Sequence, residues 1–450
     1  MPVKIFFFAL LFICASLALK TSSKLKYPNN VDPVFLQTTN TWAQQKLNSL
    51  TLEEKIAQFF MVASWPNRNE EHQKEIEDLI VNEKIGGIIY FQGTKEELKK
   101  SITRFQKASK TPLLIGIDAE WGTAMRVTDG ERFPYAYTIG AANDTILSEK
   151  LAAAIAQDCR EMGIHINFAP VADVNSNPKN PVIGFRSFGE DVTQVSNHVA
   201  AFVRGMEKNG VMTSIKHFPG HGDTDTDSHL ELPQVSHDLN HFQNIEFKPF
   251  LAGIQAGTSS VMIGHLSVPA LDESKTPSSL SKNVIQDILQ KQMNFKGLII
   301  SDALNMKAVA DKFGKVDVVV KAFQAGNDIL LFPENVKEAI QAIAAKVKSG
   351  EISEAEINAR CLKVLAAKNH VINHKAKEQF TAGQIAWFKR DCYEKALTVV
   401  KNNGVLPITN SSKKVALVRI GINTAAFPEM TKNFHATDTY HFYTFEEAAK

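Results

Sequence analysis

Eight short apolar runs recur between about residues 45 and 335, and a loop and a stretch with helical periodicity follow each run. The runs are four or five residues long and apolar on both faces, which is typical of strands buried in a parallel sheet. The stretches at residues 148–162 and 193–209 are long enough to form right-handed crossover helices. The runs lie at residues 59–62, 87–91, 113–117, 164–168, 211–215, 260–263, 297–300 and 328–332.

Eight β/α units over this length predict a closed (β/α)8 barrel of the TIM type. The alternative is an open, doubly wound sheet, but the glycine-rich turn GxGxxG that such sheets use to bind phosphate is absent after the first run. We assign residues 30–375 to the barrel domain. Residues 376–450 are predicted to hold a linker helix and the beginning of a second α/β domain, which the chain does not complete.

The charge balance argues against one class of partner. The chain has 50 Lys and Arg residues against 48 Asp and Glu residues, so it offers no large basic field for binding nucleic acid. Hydrophobic residues make up 44% of the sequence and charged residues 22%, which are ordinary values for a globular protein. These values are those of a folded enzyme that does not bind nucleic acid.

The first 20 residues have the pattern of a secretory signal peptide, in which a basic start at Lys4 precedes an apolar stretch at residues 5–13 and small residues. The apolar stretch is too short to span a bilayer comfortably, although an uncleaved membrane anchor is the alternative. Lipid attachment at Cys14 is disfavoured by the bulky Ile13 before it. We therefore expect export to the periplasm or the extracellular space, with no integral membrane segment after signal removal.

The remaining cysteines are Cys159, Cys361 and Cys392, an odd number without CxxC spacing. Buried free thiols are the expected state of such residues.

Ionisable residues follow the predicted strands at the points where the strands end. Because the carboxyl ends of barrel strands meet at one face, these residues are expected to converge on one pocket. Asp173 is expected to organise the loop after the fourth strand, whereas His265 fits a pocket-lining role and a structural role equally well. The residues are Asp118, Asp173, Lys216, His217, His265 and Asp302.

The stretch at residues 216–229 is dense in histidine and aspartate. A calcium loop is excluded because Ser228 replaces the required glycine and Gln234 stands where the final glutamate is needed. A zinc site formed by His217, His221 and His229 is chemically feasible, but their spacing matches no HExxH or paired-cysteine arrangement. We therefore expect no metal and no organic cofactor.

A third interpretation of this stretch is a loop that carries an Asp227–His229 pair. Asp227 would fix the tautomer of His229 and raise its basicity, so that the imidazole can give and take a proton near neutral pH. Gly220 and Gly222 bound the loop and would let it close over a ligand.

Asp302 stands where a buried strand passes directly into a loop. A carboxylate on rigid backbone near Lys216 and arginine side chains stays ionised, as a nucleophile must. The alternative is that Asp302 caps the next helix.

Two segments carry a resemblance to a known family. With KHFPGHGDTDTDSHLELP at residues 216–233 and ISDAL at residues 300–304, the chain resembles glycoside hydrolase family 3 over roughly residues 45–420. More narrowly, it resembles the β-N-acetylglucosaminidase (NagZ-like) branch. The resemblance implies a retaining exo-β-N-acetylglucosaminidase that acts on glycans with terminal N-acetylglucosamine, and peptidoglycan fragments are the natural expectation for this branch.

The resemblance also implies residue roles. Asp302 matches the nucleophile, His229 the acid/base and Asp227 its partner. In the segment that begins at Asp118, Trp121 stands where the family usually has glycine, which puts the shape of the outer subsite in question. The residues that match substrate-binding positions are Asp118, Arg126, Arg186, Lys216 and His217.

Other functions remain open. A phosphorylase is one, because a histidine does not repel phosphate as a carboxylate would. A β-glucosidase of the same family is another, although those enzymes generally lack the Asp-Ser-His segment found here. An inactive glycan-binding barrel would be expected to have lost Asp302, Asp227 or His229, and all three are present.

Overall fold

The computed structural model of the chain describes residues 30–224, 232–374, 376–403, 415–420 and 437–442. One compact unit ends at Ala396, and a second begins at Leu397.

The first unit is built on eight parallel strands, which confirms the predicted TIM-like barrel. Every strand is buried along its whole length, as the apolar runs predict. The strands are β1 (Phe60–Ser64), β2 (Gly87–Tyr90), β3 (Leu114–Ile117), β4 (Ile166–Asn167), β5 (Met212–Phe218), β6 (Ser260–Ile263), β7 (Leu298–Ser301) and β8 (Leu330–Leu331).

The sheet closes on itself almost completely. β1 pairs with β2 on one side and with β8 on the other, where Phe60 lies opposite Leu330. β7 reaches β8 through a single bridge between Ile300 and Ile329, and the Ser301 amide donates to the Ile329 carbonyl at 3.0 Å. This ring excludes the open-sheet alternative and brings the carboxyl ends of the strands to one face.

Helices surround the strands, and polar side chains mark where the long ones begin. Asp144 caps α6 (Thr145–Glu161), Asp191 caps α7 (Val192–Glu207) and Ser353 caps α13 (Glu354–Asn373), each accepting a hydrogen bond from an amide of the first turn. The helices α1 to α14 span Thr41–Asn48, Leu52–Ala57, Glu70–Asp78, Lys95–Ala108, Ala136–Ala142, Thr145–Glu161, Val192–Glu207, Leu239–His241, Phe247–Gln255, Lys307–Phe313, Asp317–Ala325, Val336–Lys348, Glu354–Asn373 and Ala382–Ala396.

The cysteines occupy the interior, as predicted. Cys159, Cys361 and Cys392 are buried and free. Among the described residues, no helix combines the length and the apolar character that crossing a bilayer requires.

The predicted linker helix corresponds to α14, which packs against α5 and α6 of the barrel unit. Lys395 of α14 lies 2.7 Å from Asp144, and Phe388 is buried. In the second unit the described residues include two parallel strands, β9 (Val415–Ile420) and β10 (Thr437–Phe442). Parallel pairing is the arrangement found in α/β domains, although the predicted domain boundaries remain a prediction.

Candidate active site

A pocket of about 550 Å³ opens at the carboxyl ends of the barrel strands. This volume lies within the range of small-molecule sites. Among the side chains that line it are the predicted pocket residues Asp118, Arg126, Arg186, Lys216, His217 and Asp302, together with Glu120 and Trp121. Of the strand-end residues that were expected to converge, Asp118, Lys216, His217 and Asp302 line this pocket, whereas Asp173 and His265 do not.

Asp302 follows β7 directly and is held by backbone on both sides. Its amide donates to the Ile263 carbonyl at 3.0 Å, and its Oδ1 accepts from the Ala303 amide at 2.7 Å. The helix-capping alternative is wrong, because α10 begins at Lys307 and the residue before it is Met306. The carboxylate is therefore left to face the pocket.

The surroundings of Asp302 favour its ionised form. Burial alone would raise the pKa of this carboxyl, but the charges of His265 and His217, the Ala303 amide and Lys216 outweigh it. The pKa consequently lies below its ordinary value. A carboxylate that stays ionised is available as a nucleophile.

A network of opposite charges forms the wall beside Asp302. Lys216 Nζ lies 3.0 Å from Asp118 Oδ1 and 2.7 Å from Glu120 Oε1. Arg126 Nη2 lies 2.7 Å from Asp118 Oδ2. Arg186 makes a bidentate contact with the Glu120 carboxylate: Nη2 donates to Oε1 at 2.7 Å, and Nε donates to Oε2 at 2.9 Å. The two carboxylates thus hold three cations in fixed positions around the pocket.

The side chains of this network stay ionised because each has a partner of opposite charge. Burial would raise the pKa of the Asp118 and Glu120 carboxyls, but Lys216 and an arginine beside each carboxyl lower both pKa values below their ordinary range. The pKa of Arg186 is raised, since Glu120 outweighs the effect of burial. Paired ionised groups of this kind can donate to and accept from sugar hydroxyls without having to move first.

Sequence reasoning missed Glu120. Its carboxylate links Lys216 to Arg186, yet only Asp118, Trp121 and Arg126 were singled out from this segment. The sequence does hold one indication: Glu120 lies two residues after Asp118 at a strand end, and three cationic side chains were predicted for the same pocket. A loop does not fix side-chain direction, so spacing alone could not show which way Glu120 points.

His217 is oriented by Asp173, which is fully buried. Its Nδ1 lies 2.8 Å from Asp173 Oδ2, and the same carboxylate accepts from the amide of His221 at 2.8 Å. Arg186 Nη2 lies 3.4 Å from His217 Nε2, so the His217 ring is held between Asp173 and Arg186. The Asp173 carboxylate therefore organises the end of β5 and the loop after it, whereas the prediction was for the loop after the fourth strand.

Hydrogen bonds and close packing hold the chain in place from the end of β5 to Thr224. The side-chain amide of Asn180 donates to the carbonyls of His221 at 2.8 Å and of Gly222 at 3.0 Å. A Cβ at Gly222 would lie 1.7 Å from the Val174 carbonyl oxygen, so only glycine fits there. This glycine is needed for close packing, which differs from the freedom of movement expected from the sequence.

The predicted acid/base pair, Asp227 and His229, lies outside the described residues. Of the three histidines considered for a zinc site, the rings of His217 and His221 are 5.7 Å apart. Their Nδ1 atoms already contact Asp173 and Thr224, respectively.

His265 has a structural position behind Asp302. It is fully buried, its Nδ1 lies 2.6 Å from Ser279 Oγ, and its Nε2 lies 3.0 Å from the Ala303 carbonyl oxygen. Since Ala303 follows Asp302, this contact supports the backbone that presents the carboxylate.

Aromatic side chains border one side of the pocket. Trp121 lines it and makes an edge contact with Tyr135, with ring centroids 5.0 Å apart. Tyr135 in turn contacts Phe185 at 4.6 Å, and Phe185 is 53% exposed. The tryptophan that replaces the family's usual glycine therefore adds an aromatic surface beside the charged wall.

Comparisons with known proteins agree on one family. Residues 51–367 match the family described as Glycosyl hydrolase family 3 N terminal domain. The chain is 31% identical over 382 residues to Beta-hexosaminidase A of Pseudoalteromonas piscicida, covering 76% of this chain and 64% of that relative. It is 32% identical over 281 residues to Beta-hexosaminidase of Stenotrophomonas maltophilia (strain K279a), covering 60% of this chain and 83% of that relative.

A solved structure is also similar. It is the glycoside hydrolase family 3 beta-N-acetylglucosaminidase from Paenibacillus sp. str. FPU-7, with a TM-score of 0.77 and 30% identity. The alignment covers 89% of this chain and 82% of that chain.

Proposed function

Because the chain belongs to glycosyl hydrolase family 3, we propose that it is a retaining exo-β-N-acetylglucosaminidase. The observation that carries the proposal is the pocket in which the Asp302 carboxylate stands beside the Asp118–Lys216–Glu120–Arg186 network. A pocket suits removal of a terminal sugar, because one end of the glycan can be enclosed. The names of the similar hexosaminidases support the acetamido sugar as the substrate.

In the proposed first step, a carboxylate oxygen of Asp302 attacks the anomeric carbon, and the bond from that carbon to the leaving oxygen breaks. His229 gives its proton to the leaving oxygen, so that the glycan departs as an alcohol. The product of this step is a glycosyl ester of Asp302. The network of paired charges would hold the sugar hydroxyls while the ring changes shape.

In the proposed second step, His229 takes a proton from water, and the water oxygen attacks the anomeric carbon on the face opposite Asp302. The ester bond breaks, Asp302 leaves as a carboxylate, and the sugar is released with its original configuration. A histidine suits this exchange because its ordinary pKa lies close to neutral pH.

We further propose that the protein is exported and acts on peptidoglycan fragments. The signal-like pattern of the first 20 residues supports export. The resemblance to the NagZ-like branch supports the substrate.

The proposed function is tested with the wild-type protein and two chromogenic substrates, an N-acetyl-β-D-glucosaminide and the matching β-glucoside, with and without phosphate. We expect a strong preference for the acetamido sugar and release of free N-acetylglucosamine in both buffers. A preference for the glucoside would contradict the substrate assignment, and a sugar 1-phosphate product would contradict hydrolysis.

The acid/base role of His229 predicts an effect that depends on the leaving group. His229→Ala should lower kcat/KM for an N-acetylglucosamine disaccharide by about 10²- to 10⁴-fold, because the leaving alcohol needs a proton. The same variant should lower kcat/KM for a nitrophenyl glycoside far less, since a nitrophenolate leaves without being protonated. The matched control is His370→Ala, outside the pocket. Equal losses on both substrates would argue against proton donation.

The aromatic surface predicts a role in binding the second sugar. Trp121→Ala should raise KM for a disaccharide by about 3- to 10-fold through lost stacking, and leave KM for a small alkyl glycoside nearly unchanged. Trp387→Ala is the matched control, since Trp387 is 56% exposed on α14 and does not line the pocket. If Trp121→Ala changes both KM values equally, Trp121 supports the pocket and does not form an outer subsite.

A further inference from the structure

A second cluster of ionisable side chains lies apart from the pocket lining, on the chain that follows β5. Asp223 Oδ2 is hydrogen bonded to His237 Nε2. The rings of His237 and His241 are stacked, with centroids 3.7 Å apart and planes 13° from parallel. One potential ligand atom of each of the three residues lies within 4.8 Å of the others.

Glu246 adds a buried carboxylate to this cluster. Its residue is 1% exposed, and Oε1 lies 3.5 Å from His241 Nε2. Within the described ranges of the chain, neither carboxylate oxygen of Glu246 makes a close hydrogen bond, and His241 Nε2 makes none either. Burial of this carboxylate is costly, and the group that it faces is the His241 ring at 3.5 Å.

We propose that Asp223, His237 and His241 bind a zinc ion, with Glu246 orienting His241. Two imidazoles and a carboxylate are a ligand set that zinc accepts readily. Zinc–ligand bonds of about 2.0–2.2 Å put tetrahedral ligand atoms roughly 3.3–3.6 Å apart, so the present spacing needs a small inward movement. A carboxylate beside a metal-bound histidine is a common second layer of such sites.

This set differs from the His217, His221 and His229 set, which its spacing argued against, and it departs from the expectation that the protein binds no metal. His237 lies directly before Asp238, which caps α8, and His241 is the last residue of that helix, so the start of α8 brings the two rings together. The third ligand, Asp223, comes from the other side of residues 225–231. The ion would therefore tie together the chain on both sides of the stretch that holds the predicted Asp227–His229 pair.

The test measures metal content and affinity, so its outcome does not depend on the proposed glycosidase activity. The full chain is stripped with a chelator and titrated with Zn²⁺ against a chromophoric competitor. We expect one zinc ion per chain and a higher melting temperature with zinc. His237→Gln and His241→Gln should lose stoichiometric binding, and Glu246→Gln should weaken it by about 10- to 100-fold.

The matched control is His370→Gln. His370 and His374 are also four residues apart, with ring centroids 5.1 Å apart at the end of α13, so they test adventitious binding by a histidine pair. His370→Gln should bind zinc like the wild type. The proposal is overturned if the wild type retains no zinc, or if His237→Gln and His370→Gln bind it equally well. Circular dichroism checks folding, and Asp223→Asn replaces any histidine variant that does not fold.

Discussion

Replacing Asp302 with asparagine should lower kcat for the chromogenic N-acetylglucosaminide by at least about 1,000-fold. The neutral amide cannot form the glycosyl ester on which the double displacement depends. The measurement is steady-state hydrolysis by Asp302→Asn and the wild type. Because Asp302 is held mainly through its backbone, the variant should keep the wild-type fold.

The matched control is Asp272→Asn. Asp272 is also a buried aspartate, and it accepts hydrogen bonds from Ser274 and Ser281 without lining the pocket. It should retain most of the activity. If Asp302→Asn keeps more than about a tenth of wild-type kcat while melting normally, another residue is the nucleophile.

Replacing Lys216 with methionine should lower the free energy of unfolding by about 3–5 kcal/mol. Lys216 is 3% exposed, and its removal leaves Asp118 and Glu120 with one cation fewer between them. Two buried carboxylates then repel each other, and their lost contacts are not replaced. Urea unfolding at pH 7 measures the loss.

Lys368→Met is the matched control, since Lys368 is fully buried but contacts an amide instead of a carboxylate, at 2.6 Å from Gln58 Oε1. Burial lowers the pKa of Lys368 to about 7. The methionine variant should therefore unfold at nearly the same or a higher urea concentration. If both variants lose equal stability, the charge of Lys216 does not stabilise the fold through Asp118 and Glu120.

The pH dependence of stability gives a further test of Lys368. An unfolded lysine has a pKa of about 10.4, whereas that of folded Lys368 is about 7. Between these values the unfolded chain holds more protons, so the wild type gains stability as pH rises from about 7 to 10. Lys368→Met should lack this gain.

The barrel was predictable because its strands are buried on both faces. Each apolar run overlaps an observed strand, and the polar residues after β3 and β7 reach one pocket with those at the end of β5. The direction of the chain at a strand end is set by the barrel, so strand-end position was a sound guide to Asp118, Lys216 and Asp302.

Features that depend on side-chain direction in loops were not predictable. Glu120 and Arg186 are joined by two hydrogen bonds although 66 positions separate them in sequence. Likewise, Asp223 and His237 are hydrogen bonded although 14 positions separate them in sequence. Sequence spacing carries no record of such contacts.

The central claim, that Asp302 forms a covalent bond to the sugar, is tested most directly by trapping that intermediate. The wild type is incubated with a fluorinated N-acetylglucosaminyl donor that glycosylates the enzyme faster than the glycosyl-enzyme is hydrolysed. The intact mass of the protein is then measured. We predict an increase equal to one glycosyl group, which peptide mapping places on Asp302 and which Asp302→Asn does not acquire. An adduct on another residue, or complete turnover with inversion of the anomeric configuration, would contradict this account.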